Sequence, residues 1–171
     1  SQQGSCIIGQ IQLPHVHDVE SCLGLLKSFA PQWIDEVNIH VVPAMVQRGG
    51  GVRSMDFRVL TRPDGGHMVL VHVLMDPCDA MGANLINQVL EYLKSPIEKV
   101  TQERVHLCIL SNLNDQKLTT ARVVLNGISE EEGQAIMEAS IFAEVDPYRA
   151  ATHNKGIMNG IDGVLLATGN D

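Results

Sequence analysis

The feature that most constrains this chain is a pair of alternating runs joined by a four-residue turn. Val52 to Thr61 (VRSMDFRVLT) sets Arg53, Met55, Phe57 and Val59 between Ser54, Asp56 and Arg58, and His67 to Met75 (HMVLVHVLM) forms the second run. Pro63-Asp64-Gly65-Gly66 lies between them. Proline presets φ for a turn, aspartate bonds its own backbone two residues on, and glycine accepts positive φ, so this pattern signals a β-hairpin. A lone hairpin is marginal in water. The flanking segments must cover it.

Those segments read as a strand and helix before the hairpin and a helix and strand after it. Ser5 to Leu13 (SCIIGQIQL) is a short apolar run ended by Pro14, hence a strand. Asp18 is a plausible N-cap, and Val19, Cys22, Leu23, Leu25, Leu26, Phe29 and Ile34 follow at helical spacing. Pro31 and Pro43 break this region, so one or two helices finish before the Gly49-Gly50-Gly51 turn. After the hairpin, Asp79 caps a helix running to about Glu98, with Met81, Leu85, Val89 and Leu93 along one stripe. Val105 to Leu110 (VHLCIL) is a strand ended by Ser111-Asn112. Strand, helix, hairpin, helix, strand is the split βαβ (βαββαβ) order of ferredoxin-like α+β sandwiches. Lys117 to Leu125 reads as one further strand, and Ser129-Glu130-Glu131-Glu132 opens a last helical region through a capping box. A boundary near Asn114 divides the chain into 1–114 and 115–171.

Bulk properties narrow the function classes. Twelve Lys and Arg against 20 Asp and Glu give a net charge of −8, which sets aside a broad basic face for nucleic acid. A local basic pocket for an anionic ligand stays compatible with that charge. Cys6, Cys22, Cys78 and Cys108 form no CxxC pair, and His15, His17, His40, His67, His72 and His106 are dispersed, so no metal site is expected. Free thiols imply a reduced, cytoplasmic protein. No signal peptide or bilayer-length apolar run stands in the sequence, so no membrane partner is expected.

Two stretches carry chemistry. Asp79-Ala80-Met81-Gly82-Ala83-Asn84 puts small residues at the start of a helix, where free amides and the dipole favour phosphate. The same pattern also describes an ordinary capped helix. No GxGxxG follows a strand, so the usual dinucleotide fingerprint is absent. Asp146 to Asp171 mixes Arg149, His153, Asn154, Lys155, Asn159 and Asp162 with Gly156, Gly160 and Gly163. Each glycine costs a helix about 1 kcal/mol against alanine, which core formation alone does not explain. Lys155, Asn159 and Asp162 would share one helix face. A lysine among polar groups near a carboxylate can donate a proton to a developing oxyanion, and Arg149 suits a carboxylate or phosphate. A solvated helix end with scattered charges is the plainer alternative.

Taken together, DAMGAN at Asp79 to Asn84, ILSNLND at Ile109 to Asp115, DPYRAATHNKGIMNGID at Asp146 to Asp162 and ATGND at Ala167 to Asp171 closely resemble hydroxymethylglutaryl-coenzyme A (HMG-CoA) reductases, nearest the soluble class II form. The Gly49-Gly50-Gly51 run fits the same order. This resemblance implies an oxidoreductase that reduces HMG-CoA to mevalonate and coenzyme A with two NADPH or NADH. It implies a small dinucleotide-binding domain at 1–114 and part of a larger catalytic domain at 115–171, and a homodimer for the intact enzyme. On the same basis Lys155 would polarise the reacting carbonyl, Asp171 would tune that lysine, and Asn112 would lie beside it. Arg149 and Asn159 would hold the substrate, and Asp79, Met81, Gly82 and Asn84 would line the dinucleotide site. The family's catalytic glutamate motif upstream and its histidine downstream find no counterpart here, so the chain is expected to be a central piece without turnover of its own. Arg48 and Arg53, with no acid in His40 to Gln47, tilt the expectation towards NADPH. The competing class is a non-catalytic βαββαβ ligand-binding or regulatory module, which would have no need of Lys155, Asn159 and Asp171 together.

Overall fold

The hairpin forms one side of a four-stranded antiparallel sheet, with its first strand at the edge. A computed structural model of the chain describes residues 6–118, 120 and 122–170. Its first unit, Ser1–Thr120, holds β1 (Ile7–Val16), α1 (Val19–His40), α2 (Pro43–Gln47), β2 (Gly51–Thr61), β3 (His67–Asp76), α3 (Ala83–Thr101) and β4 (Leu107–Leu110). The sheet order is β2-β3-β1-β4, with each neighbouring pair antiparallel. This is the expected α+β split βαβ arrangement.

Period-two patterning decides which sheet face the helices cover. Val69, Val71, Val73 and Met75 of β3 and Ile11 and Leu13 of β1 are fully buried on that face. Cys22, Leu26, Ala30, Trp33 and Val37 of α1, spaced at three and four, face the same core, as do Ile86, Val89, Leu90, Leu93 and Ile97 of α3. Gly9 lets α3 come down directly on β1. A Cβ there would stand 2.7 Å from Leu90 Cδ1 and 2.9 Å from Ile86 Cγ1.

Four local readings are corrected by tertiary context. Pro14 does not end β1. The strand runs to Val16 through an irregularity between Leu13 and Val16, where a residue without an N–H fits the interrupted ladder. Pro31 does not break α1. It sits on the exposed side, where water can take the carbonyl it leaves free, while the contacts of Leu26, Ala30, Trp33 and Val37 hold both halves. Arg53 does not alternate with Met55, because a bulge between Val52 and Ser54 turns Val52 and Met55 to the same core and Arg53 outward. Asp79 does not cap α3. The cap is Gly82, at φ +83°, and no side chain accepts from the first turn.

The second unit, Ala121–Asp171, contains α4 (Glu130–Val145) and α5 (Pro147–Thr168), packed against each other. The expected strand over Lys117 to Leu125 is a further correction. Its described residues are irregular, and Thr119 and Ala121 lie outside them. The capping box is present as read. Ser129 Oγ accepts from the Glu132 amide at 3.2 Å, and a Glu132 carboxylate oxygen accepts from the Ser129 amide at 2.8 Å. The Ser129 amide and hydroxyl, both donating to that carboxylate, hold the Glu132 carboxyl below its ordinary value. Asp146 ends α4 and caps α5, accepting from the Arg149 amide at 2.7 Å, with Pro147 in the first turn. Among the described residues no helix is long and apolar enough to cross a membrane.

The close approach at Gly9 can be tested directly. Gly9→Val should destabilise the chain by about 1–3 kcal/mol through overpacking, and adding Leu90→Ala should return part of that loss. Urea unfolding of the two variants and the parent measures both steps.

Candidate functional site

The start of α3 is built around a residue that only glycine can fill. At Gly82 a Cβ would stand 2.7 Å from Pro77 Cβ and 2.8 Å from Ile7 Cδ1, and the positive φ excludes most other residues independently. The first helical bond runs from the Ile86 amide to the Gly82 carbonyl at 3.0 Å. The amides of Ala83, Asn84 and Leu85 therefore begin the helix without a capping side chain, and no acid stands in the first turn. That leaves a partial positive charge available to an anion.

Two turns are pressed together beside it. Asp79 is exposed in a turn closed by the Ala80 amide on the Pro77 carbonyl at 3.1 Å. The glycine run packs behind that turn, since a Cβ on Gly50 would collide with the Asp76 carbonyl and stand 2.8 Å from Cys78 Sγ. The Arg53 guanidinium donates to the Gly49 carbonyl and pairs with Asp76 at 3.3 Å. Arg48 Nε donates to the Ala44 carbonyl at 3.1 Å. Both arginines are thus already engaged locally, and both stay exposed.

The helix start opens onto a small cavity of about 130 Å³ lined by Ile7, Ile8, Met81, Ala83, Ile86, Leu110, Ser111, Asn112 and Asn114. Met81 of one sequence motif and Asn112 of another, 31 residues apart by their numbers, meet there. A shallower depression over Ala80 to Leu85 holds Gly82 and Asn84. The loop after β4 is tied down at three points. The Ser111 amide donates to the Ile8 carbonyl at 2.8 Å, the Leu113 amide to Ser111 Oγ at 3.1 Å, and Lys117 Nζ to the Ala80 carbonyl at 3.4 Å.

Residues 2–171 match the family model described as hydroxymethylglutaryl-coenzyme A reductase. The chain belongs to this reductase family. Over 171 residues it is 39% identical to the 3-hydroxy-3-methylglutaryl-coenzyme A reductase of Archaeoglobus fulgidus, a match that covers 98% of this chain and 39% of that protein. Its structure is similar to the class II 3-hydroxy-3-methylglutaryl-CoA reductase from Streptococcus pneumoniae bound to NADPH in open conformations. The TM-score is 0.83 at 34% identity, over 98% of this chain and 47% of that one. A second structure of the Streptococcus pneumoniae reductase gives 0.83 and 34%, over 98% and 41% of the two chains. The chain therefore spans less than half the length of each relative named here. The class II HMG-CoA reductase resemblance read from the motifs is borne out.

Within this reductase chain, Arg149, Lys155 and Asn159 stand on α5, with Lys155 and Asn159 both exposed. A Cβ added at Gly156, Gly160 or Gly163 would meet nothing within 4 Å, so these glycines serve no contact inside the described chain. Asp171 lies outside the described residues. The four cysteines are free, and burial pushes the Cys22 and Cys108 thiols up to about 11.

Sequence reasoning on the reductase motifs missed Asn114 as a wall of the cavity and missed a polar row on the open sheet face. Pairing sets Asp56 opposite His72 and His72 opposite Gln10, with Gln10 Nε2 2.9 Å from His72 Nε2. Arg58 and the loop residue Asp115 line the same cleft. Burial, aided by Arg58, holds the His72 imidazole below its usual value, while Asp56 and Asp115 pull the other way. A depressed folded value means that the unfolded chain takes up the proton first, near 6.5. Stability should therefore be level above that pH and fall as the pH descends from there through the folded value. Thermal midpoints measured in a pH series should show this slope in the parent and a flatter one in His72→Gln.

Proposed function

We propose that this chain carries the dinucleotide half of an HMG-CoA reductase site together with the lysine-bearing helix of its catalytic half. On this reading the whole enzyme reduces HMG-CoA to mevalonate and coenzyme A with two NADPH or NADH. The observation that carries it is the meeting of Met81 and Asn112 in one cavity at the uncapped start of α3. Residues 1–114 form the dinucleotide-binding domain and 115–171 belong to the catalytic domain.

The residues present fit a dinucleotide. Bare first-turn amides, a glycine that admits close approach, and the absence of a first-turn acid suit a pyrophosphate, and apolar walls beside them suit a flat ring. Asp79, Met81, Gly82 and Asn84 would hold the cofactor, which supplies hydride when bound. Lys155 would hold a proton against the reacting carbonyl oxygen, favouring negative charge there, and Asp171 would tune its proton affinity. Asn112 lies beside them in this reading, and Arg149 and Asn159 hold the substrate. Exposed Arg48 and Arg53 favour NADPH over NADH through the extra phosphate. The enzyme works in the cytoplasm as a homodimer or higher homo-oligomer.

Binding can be measured on the chain itself, without turnover. Titration calorimetry should give tighter binding of NADPH than of NADH. Asn84→Asp adds a carboxylate at the helix N-terminus, which favours the helix by about 0.3–1 kcal/mol but repels phosphate. It should leave the melting temperature equal or higher while weakening NADPH about tenfold. Unchanged affinity would remove α3 from the dinucleotide site. The 171-residue chain alone should show no reductase turnover above blank.

Large apolar side chains stand in water on the second unit, with Phe142 54%, Leu166 79%, Ile141 40% and Ile161 41% exposed. Such a surface favours association. Sedimentation should find the parent chain self-associated, and Phe142→Asp with Leu166→Asp should shift it towards monomer. A monomeric parent at micromolar concentration would count against association through this surface.

A further inference from the structure

Among the described residues, one buried side-chain oxygen or nitrogen has no hydrogen-bond partner: Oδ1 of Asn114. Native proteins keep few such groups, because a carbonyl removed from water without a donor is costly. Here the cost is placed on a wall of the cavity that also holds Met81 and Asn112, among the hydrocarbon of Ile7, Ile86 and Leu110. The backbone around it is not slack. The Lys117 amide donates to the Asn114 carbonyl at 3.3 Å, and Ser111 and Lys117 anchor the loop to β1 and to the residue before Met81. An acceptor on an anchored backbone, with no internal donor and apolar walls beside it, calls for a donor from outside the chain.

We propose that Asn114 is a binding residue whose side-chain carbonyl accepts a hydrogen bond from the exocyclic NH₂ of one of the two rings of a nicotinamide dinucleotide. This rests on the dinucleotide reading of the α3 site and adds to it a residue outside the motif that opens the helix. The nicotinamide carboxamide and the adenine amine offer the same donor chemistry, and suitable analogues tell them apart. Ligand entry repositions the amide, since its oxygen is shielded from water in the free chain.

The test is calorimetric titration of the 171-residue chain with NADPH, with the analogue whose carboxamide is replaced by acetyl, and with the analogue whose adenine is replaced by hypoxanthine. Asn114→Ala should weaken NADPH about tenfold, while the melting temperature of the free variant stays level or rises because the orphaned carbonyl has gone. One analogue should bind the parent more weakly by a similar factor and lose little more on Asn114→Ala, which identifies the ring that supplies the donor. NADPH bound equally by parent and variant overturns the inference and leaves the dinucleotide reading standing. So does a marked fall in the melting temperature of the free variant, which would mean an internal role for the amide. Two analogues that bind the parent as tightly as NADPH overturn it without any variant. A parent chain that does not bind NADPH removes the dinucleotide reading, and this inference with it.

Discussion

The contact on which the rest of the first unit depends is the direct seating of α3 on β1. Gly9 removes the side chain that would hold the two apart, and Gly82 lets the chain turn into the helix between Pro77 and Ile7. Both glycines act on the same strand, one at Ile7 and one two residues later. The strand thus fixes the helix axis and its starting point together. Ile86, Val89, Leu90, Leu93 and Ile97 then lock the helix over a face of valines and isoleucines, and burial of that kind is worth about 1.5–3 kcal/mol per large side chain. The start of α3 is therefore a rigid edge, and its free amides are aimed by the core. A phosphate site gains from that rigidity, because little ordering remains to be done when an anion arrives.

The sheet was legible because its signals are local. The turn at Pro63 to Gly66 and the alternation on either side of it need only neighbours in sequence, and the two helices announce themselves by period. The corrections within the first unit's elements occur where tertiary context outweighs a local preference. Pro31 continues a helix because the core holds residues before and after it. Pro14 continues a strand because the ladder is irregular at that point. Arg53 leaves its expected face because one extra residue, accommodated opposite Leu74 and Met75, changes the phase of the strand. Phase shifts of this type have no composition signal, so alternation alone assigns Met55 correctly and Val52 and Arg53 wrongly.

The site divides in the same way. DAMGAN and SNLND were legible as motifs, yet their meeting in one cavity depends on β4 pairing with the start of β1, a contact spanning some hundred positions in sequence. Asp79 illustrates the cost of reading locally. An aspartate two residues ahead of an apolar stripe looks like a cap, and the cap is a glycine because Pro77 and Ile7 leave room for nothing larger. Asn114 stood inside the SNLND motif without a role of its own. Its significance is the absence of a donor around one atom, which only coordinates can show. The row of Asp56, His72 and Gln10 was equally hidden, although once the register is known the three fall on one line across the sheet.

The second unit poses a different physical question, because α4 and α5 bury no residue fully. Good caps begin both helices, at Ser129 and at Asp146, and Gly169 ends α5 in the left-handed conformation. Caps contribute about 1 kcal/mol each, whereas three interior glycines cost α5 a comparable amount apiece. Local terms therefore nearly cancel, and a pair of helices normally draws its stability from packing of an apolar face. Ile136, Phe142, Ile157, Ile161 and Leu166 supply apolar surface without a cover among the described residues. The composition of α5 is thus suited to a covering surface that the second unit does not itself supply: apolar side chains to be covered, glycines that let that surface approach the backbone, and Lys155 and Asn159 presented beside them.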